Sequence, residues 1–288
     1  MTYFSFLLYF LLSPILIFLG ITYRANNNNK QISRLQNGHA VWMGIGIHVL
    51  LAVIYTTPWD NYLVATGVWY YNPKLVTGLL IGYVPLEEYT FFVLETVLSG
   101  LWWWFLARRM TMIPRSGFPD GHDTGAMDKE EFKPNKLPVY VSTCIVAPLW
   151  LAFTYLFFFG TAKWTYLSIT LFWALPPIIV QLLFGADILW HYRKFVLRAI
   201  IVPTIYLSLM DIVALRETTW SISPGQTTGI LFFGILPLEE VVFFFITNML
   251  IIVGMTLLLA NVSRERFAGI RKQVRGWKER RSLDLQSR

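Results

Sequence analysis

Seven stretches of this sequence are apolar for long enough to cross a lipid bilayer, and no other feature narrows its fold so sharply. A hydrocarbon core of roughly 30 Å takes about 20 residues of helix. The runs at approximately 3–23, 40–58, 84–107, 138–159, 164–185, 193–215 and 236–261 meet that length. They are continuous rather than alternating, which favours helices over a barrel. With 55% hydrophobic and only 14% charged residues, the chain also lies outside the range of soluble domains. The expectation is an all-α polytopic membrane protein with seven transmembrane helices. Two shorter apolar runs, near 75–83 and 228–235, lead into the third and seventh helices as tilted helix extensions or interfacial pieces.

The basic residues test these spans independently. With seven crossings, 21 of the 24 Lys and Arg fall on one face, in the loops 24–39, 108–137 and 186–198 and in the C-terminal tail; Lys74, Lys163 and Arg216 are the other 3. The positive-inside rule then puts the N-terminus outside and the basic tail from Arg264 to Arg288 in the cytoplasm. The net charge of +7 is therefore a topology signal, with some attraction of the tail to anionic headgroups, and implies no nucleic acid. In a prokaryote the membrane would be the plasma membrane. The lone cysteine, Cys144, excludes an internal disulfide and a thiolate metal cage. Residues 3–23 read as a retained first helix, because no basic residues precede the apolar run and no convincing cleavage site follows.

A duplication organises the rest. Pro85-Leu86-Glu87-Glu88 recurs as Pro237-Leu238-Glu239-Glu240, followed at the same distance by Phe91-Phe92 and Phe243-Phe244. Upstream, Asp60 pairs with Asp211, Trp69 with Trp220, Pro73 with Pro224, Thr77 with Thr228 and Gly78 with Gly229, at an offset of 151; from Gly82 and Gly234 onward it is 152. An Asp, a Trp-containing connector and a Pro-Leu-Glu-Glu helix thus form a unit used twice. The implied organisation is a first three-helix repeat over 1–107, a cytoplasmic loop over 108–137, a linker helix over 138–160, a second three-helix repeat over 161–262 and a basic tail over 263–288. The odd linker helix makes the repeats parallel, so both Pro-Leu-Glu-Glu helices meet at one depth.

Each element of the unit also has a plain structural reading. Proline followed by acids is an ordinary helix start, but a cap needs neither two adjacent carboxylates nor an apolar setting. Adjacent helical residues point about 100° apart, so one Glu of each pair at most can aim at a given centre while the other orients it. Asp60 is placed at the outer end of the second helix, from about Ala40 to Trp59, and Asp211 inside an apolar run where an unpaired charge is costly. Tyr70 and Tyr71 read as interfacial belt residues; Trp69 and Trp220, which recur, are candidates to line the site. His48 reads as a packing residue, the Asn26–Asn29 stretch as a connector, and Asp187 and His191 as interfacial. Glu95 lies seven residues past Glu88 on a similar face, and Thr96 and Asn248 are matched polar positions.

Absences narrow the chemistry: there is no glycine-rich nucleotide loop, no Cys/His metal cluster and no serine elbow. Carboxylic acids and aromatics in lipid remain. A carboxyl in apolar surroundings favours its neutral form and can act as a Brønsted acid, a second can act as base, and aromatic faces can stabilise a cation. A proton-coupled transporter is a rival reading of such carboxylates, although its halves are often inverted where these are parallel.

The Asp60-Asn61-Tyr62 segment, the Trp-turn-Pro connector and the two Pro-Leu-Glu-Glu-xx-Phe-Phe stretches resemble the membrane-integral lycopene cyclases, found as two small bacterial subunits, as a fused archaeal chain, and fused to phytoene synthase in fungi. The phytoene synthase portion has no counterpart in these residues. The resemblance implies lycopene β-cyclase activity, a redox-neutral isomerisation of the intramolecular-lyase type. An acid protonates the terminal double bond of a linear carotenoid end group, a neighbouring double bond attacks the cation, and proton loss leaves a β-ionone ring. It implies no cofactor and no metal, a lipid-soluble substrate (lycopene), and contact with membrane lipids, and it leaves room for association with other carotenoid enzymes. Glu87, Glu88, Glu239 and Glu240 become the expected acid/base set. Asp60, Asp211, Trp69, Trp220, Phe91, Phe92, Phe243 and Phe244 become the expected supporting or substrate-binding residues. Cyclisation of C50 carotenoids and ε-ring formation stay open within the same resemblance.

Overall fold

The computed structural model describes residues 1–28, 38–110, 132–260, 262–272 and 275. Seven helices in it are long and apolar enough to cross a membrane: α1 (Tyr3–Thr22), α2 (His39–Ala65), α3 (Leu86–Met110), α4 (Lys136–Phe159), α5 (Thr165–His191), α6 (Arg193–Arg216) and α7 (Leu238–Leu259). The chain is a multi-pass membrane protein. Within α1 the turn Leu8–Leu12 widens to a π-helix just before Pro14, and Ser13 Oγ donates to the Leu8 carbonyl at 2.8 Å. The wider turn makes room for the proline ring, and the Phe10 carbonyl, four residues before Pro14, accepts the Tyr206 hydroxyl at 2.6 Å.

Helices α3 and α7 form the centre of the bundle. Polar side chains tie them together where lipid offers no competing partner: Ser99 Oγ donates to Asn248 Oδ1 at 2.6 Å, and Trp103 Nε1 to Thr256 Oγ1 at 2.9 Å. Around them pack α1 and α2 on one side and α5 and α6 on the other. Helix α4 lies outermost, against α5, and buries none of its residues.

The short apolar runs are hairpins, not helix extensions. Strand β1 (Trp69–Tyr71) precedes β2 (Leu80–Ile81), which pairs with β3 (Val84–Pro85); β4 (Trp220–Ile222) precedes β5 (Leu231–Phe232), which pairs with β6 (Leu236–Pro237). Gly82 supplies the left-handed backbone for the first tight loop (φ +68°). The second loop is one residue longer, and there Phe233 and Gly234 both take positive φ. The register shift from 151 to 152 thus falls on the tip of a hairpin, where an extra residue disturbs no helix face. Strands β1 and β4 pair with each other in antiparallel register, Tyr70 opposite Ser221, so the two connectors meet across the top of the bundle.

Helix α2 continues past the Trp59 boundary to Ala65, so Asp60 lies inside the helix rather than at its end. Pro58 does not stop it: membrane helices tolerate an interior proline, and in the turn before it the Thr56 and Thr57 hydroxyls donate to the Ala52 and Val53 carbonyls. Asp60 and Asp211 then occupy equal positions, each five residues before its helix ends. At the opposite end of the bundle Asp187 forms a two-pronged pair with Arg266 at 2.6 and 2.9 Å, fastening the start of the tail to α5. The Asn29 end of the polar connector, most of the loop 108–137 and most of the tail lie outside the described residues.

Candidate active site

The two adjacent glutamates of each motif do different things. Glu87 Oε1 accepts the backbone N–H of Thr77 at 2.6 Å, and Glu239 Oε1 accepts that of Thr228 at 2.6 Å. These two carboxylates turn outward to hold the hairpin segments above the helix starts. Glu88 and Glu240, a helical step of about 100° further round, turn inward. Tyr3 Oη donates to Glu88 Oε2 at 2.5 Å, and Tyr166 Oη to Glu240 Oε1 at 2.7 Å. Tyr71 also reaches Glu88, and burial together with that carboxylate raises its phenol well above the ordinary value of 10.0, which keeps it a proton donor.

A small cavity of about 30 Å³ lies between them, lined by Glu88, Glu240, Asp211, Tyr3, Tyr71 and a wall of Trp69, Trp220, Phe91, Phe243 and Phe244. Each connector tryptophan crosses to the opposite set of helices: Trp69 packs edge-on against Tyr166 and Phe243 at 5.7 and 5.8 Å, Trp220 against Tyr3 and Phe6 at 4.9 and 5.0 Å. The β1–β4 pairing causes the exchange, since it brings each connector under its partner. Trp220 Nε1 also donates to Asp211 Oδ1 at 2.8 Å. Among the described residues no lysine or arginine lines this cavity, and the hydroxyls of Tyr3 and Tyr166 are the donors to its glutamates.

The structure therefore brings Glu88, Glu240, Asp211, Trp69, Trp220, Phe91, Phe243 and Phe244 to one cavity. Glu87 and Glu239 are buried one step outside it. Asp60, also buried, stands apart beside Thr56, within electrostatic range of Glu88 and Glu95. Phe92 faces a second, larger cavity. Tyr71 lines the cavity rather than facing outward as a belt residue would, while Tyr70, one residue away on the opposite face of the strand, is exposed.

Tyr3 and Tyr166 carry no motif of their own. The signal that finds them is a second offset: 163 separates Tyr3 from Tyr166 and also Pro14 from Pro177, which aligns α1 with α5. Tyr55 and Tyr206 obey the motif offset of 151 and mirror each other, donating to the carbonyls of Trp173 and Phe10 at 2.8 and 2.6 Å.

No family model matches the sequence, and no solved structure matches it. Curated proteins do. A lycopene beta-cyclase of Halobacterium salinarum is 34% identical over 247 residues, 85% of this chain and 90% of that protein. The chain belongs to the lycopene cyclase family. Its membership extends to fungal bifunctional lycopene cyclase/phytoene synthases: that of Phaeosphaeria nodorum is 35% identical over 72% of this chain and 34% of its own length. That of Podospora anserina is 30% identical over 74% of this chain and 35% of its own length.

Proposed function

We propose that this chain is a lycopene β-cyclase that closes the linear end groups of lycopene into β-ionone rings by proton transfer alone. The observation that carries the reading is the pair of inward carboxyls, Glu88 and Glu240, each held by a tyrosine hydroxyl inside an aromatic wall that includes no basic side chain among the described residues. The name of the archaeal relative supports the same reaction and the β ring.

The chemistry follows from the parts. A carboxyl shielded from water keeps a proton to give, and a second carboxyl nearby can take one. Protonation of a terminal double bond produces a tertiary cation, which aromatic faces beside the carboxyl layer, Phe243 among them, can stabilise. The ring bond forms when the neighbouring double bond attacks, and proton loss restores neutrality with no electrons gained or lost. Glu87 and Glu239 act by fixing the hairpins, and Asp60 and Asp211 by supplying charge and hydrogen bonds to the layer. The reaction is an isomerisation of the intramolecular-lyase class.

The positive-inside count supports an outside N-terminus and a cytoplasmic tail, which puts the carboxyl layer in the outer half of the bilayer. The matched offsets support two parallel repeats joined by α4. In lycopene-making cells expressing this chain, cyclised pigment should accumulate, and heavy water should place one deuteron in each new ring. Replacing Glu88 or Glu240 by Gln keeps shape but removes an inward carboxyl of the site, and each should slow conversion by about 10²-fold or more. Glu87→Gln and Glu239→Gln should act more weakly, through the hairpins. Parental rates in all four variants would defeat the mechanism.

A further inference from the structure

The cavity between Glu88 and Glu240 has room for about two waters at some 30 Å³. A carotenoid end group does not fit there. A second cavity of about 340 Å³, the size of a small-molecule site, lies one step deeper between α2, α3, α5 and α7. Its wall is almost wholly apolar and aromatic, including Tyr55, Phe92, Trp173 and Phe243, and Phe243 is the partition it shares with the small cavity. Leu51 and Tyr55 at its edge are exposed on the outer surface of the bundle, where a substrate dissolved in lipid would arrive.

Among the described residues lining this chamber, Glu95 alone carries a carboxyl. It is buried, and its helical repeat mate, 152 residues on, is Thr247, so the chamber is where the two halves of the sequence differ. The Thr247 hydroxyl lies 2.9 Å from Glu95 Oε1 and 3.0 Å from the Phe243 carbonyl. One hydroxyl proton can serve only one of those acceptors. A proton on Glu95, donated to Thr247, satisfies both contacts at once. On the same wall His48 Nδ1 and Gln181 Nε2 meet the carbonyls of Gly44 and Leu250 at 2.8 and 3.0 Å, and the buried Gln181 Oε1 has no partner among the described residues.

We infer that the chamber between α2 and α5 seats the linear end group of the substrate and that Glu95 is the carboxylic acid that touches it. The inference rests on the cyclase reading above. The Glu95 O–H bond breaks as a C–H bond forms at the terminal double bond, leaving a tertiary cation; the neighbouring double bond then supplies the electrons of the ring C–C bond. A C–H bond beside the new cationic centre breaks, its electrons form the ring double bond, and the proton returns to the Glu95 carboxylate. Asp60 and Glu88 lie within electrostatic range of Glu95, where negative charge offsets that of the cation.

The test measures conversion and retention of lycopene in membranes containing the full chain. Glu95→Gln should retain lycopene through detergent extraction as the parent does, yet convert it about 10²-fold or more slowly. Glu95→Asp should recover part of the rate, which a purely structural role for the carboxyl would not require. Ala52→Trp fills the chamber while leaving every carboxyl in the sequence, and should abolish both retention and conversion. Lycopene conversion at the parental rate by Glu95→Gln or by Ala52→Trp would overturn the inference while leaving the cyclase reading intact. A parent chain that leaves lycopene unchanged would instead refute that reading.

Discussion

Tyr3 and Tyr166 show how much of the site rests on single hydroxyls. Each is fully enclosed, and each donates to one inward glutamate from a helix that carries no acidic motif. Such a bond to a charged or proton-sharing group contributes about 1.5–3 kcal/mol. Tyr3→Phe and Tyr166→Phe should therefore each lower lycopene conversion by about 10-fold or more, since 1.36 kcal/mol is a factor of ten. Conversion rates in membranes containing equal amounts of each variant decide this, and unchanged rates in both would remove the tyrosines from the site. The contrast between Glu87 and Glu88 is a matter of angle alone: neighbours in sequence, one binds a hairpin N–H and the other lines a cavity.

At the scale of elements, α3 and α7 hold the site at one depth because polar contacts register them against each other. Asn248 is the centre of this tie, accepting from Ser99 and donating to the Phe244 carbonyl at 2.7 Å. Asn248→Leu would strand the Ser99 hydroxyl in a dry interface at a cost of about 1–3 kcal/mol. The midpoint of thermal unfolding in detergent should fall, and adding Ser99→Ala should recover part of it. An undiminished midpoint in Asn248→Leu would show that apolar packing registers the helices by itself. The hairpins complete the elements: Glu87 and Glu239 secure them, and the β1–β4 pairing locks one connector to the other.

For the whole molecule, the main consequence is that neither half encloses the site. The small cavity takes Glu88, Phe91 and Tyr71 from one side and Asp211, Trp220 and Glu240 from the other. The connection 108–137 carries none of these residues, and the break between 120 and 121 falls outside the described residues. Coexpressed fragments 1–120 and 121–288 should therefore restore cyclisation while each alone stays inactive, because a lone half exposes carboxyls to lipid. Pigment analysis of cells making one or both fragments reads this directly. Full activity from one fragment would show that a single inward glutamate suffices.

Seven apolar runs and an acidic motif repeated letter for letter were enough to establish a helical membrane protein and its cyclase resemblance. Both depend on local properties: the length of an apolar run against the thickness of a bilayer, and residue identity at fixed spacing. Spacing could also say that one glutamate of each pair would face a centre, but not which. That choice depends on where the hairpins lie, and the apolar segments that form them read equally well as helix. The exchange of Trp69 and Trp220 across the bundle, the entry of Tyr3, Tyr71 and Tyr166, and the larger chamber beside Glu95 follow from strand pairing and helix packing between residues far apart in the sequence. No spacing along one chain encodes such distances; only the packed helices decide them.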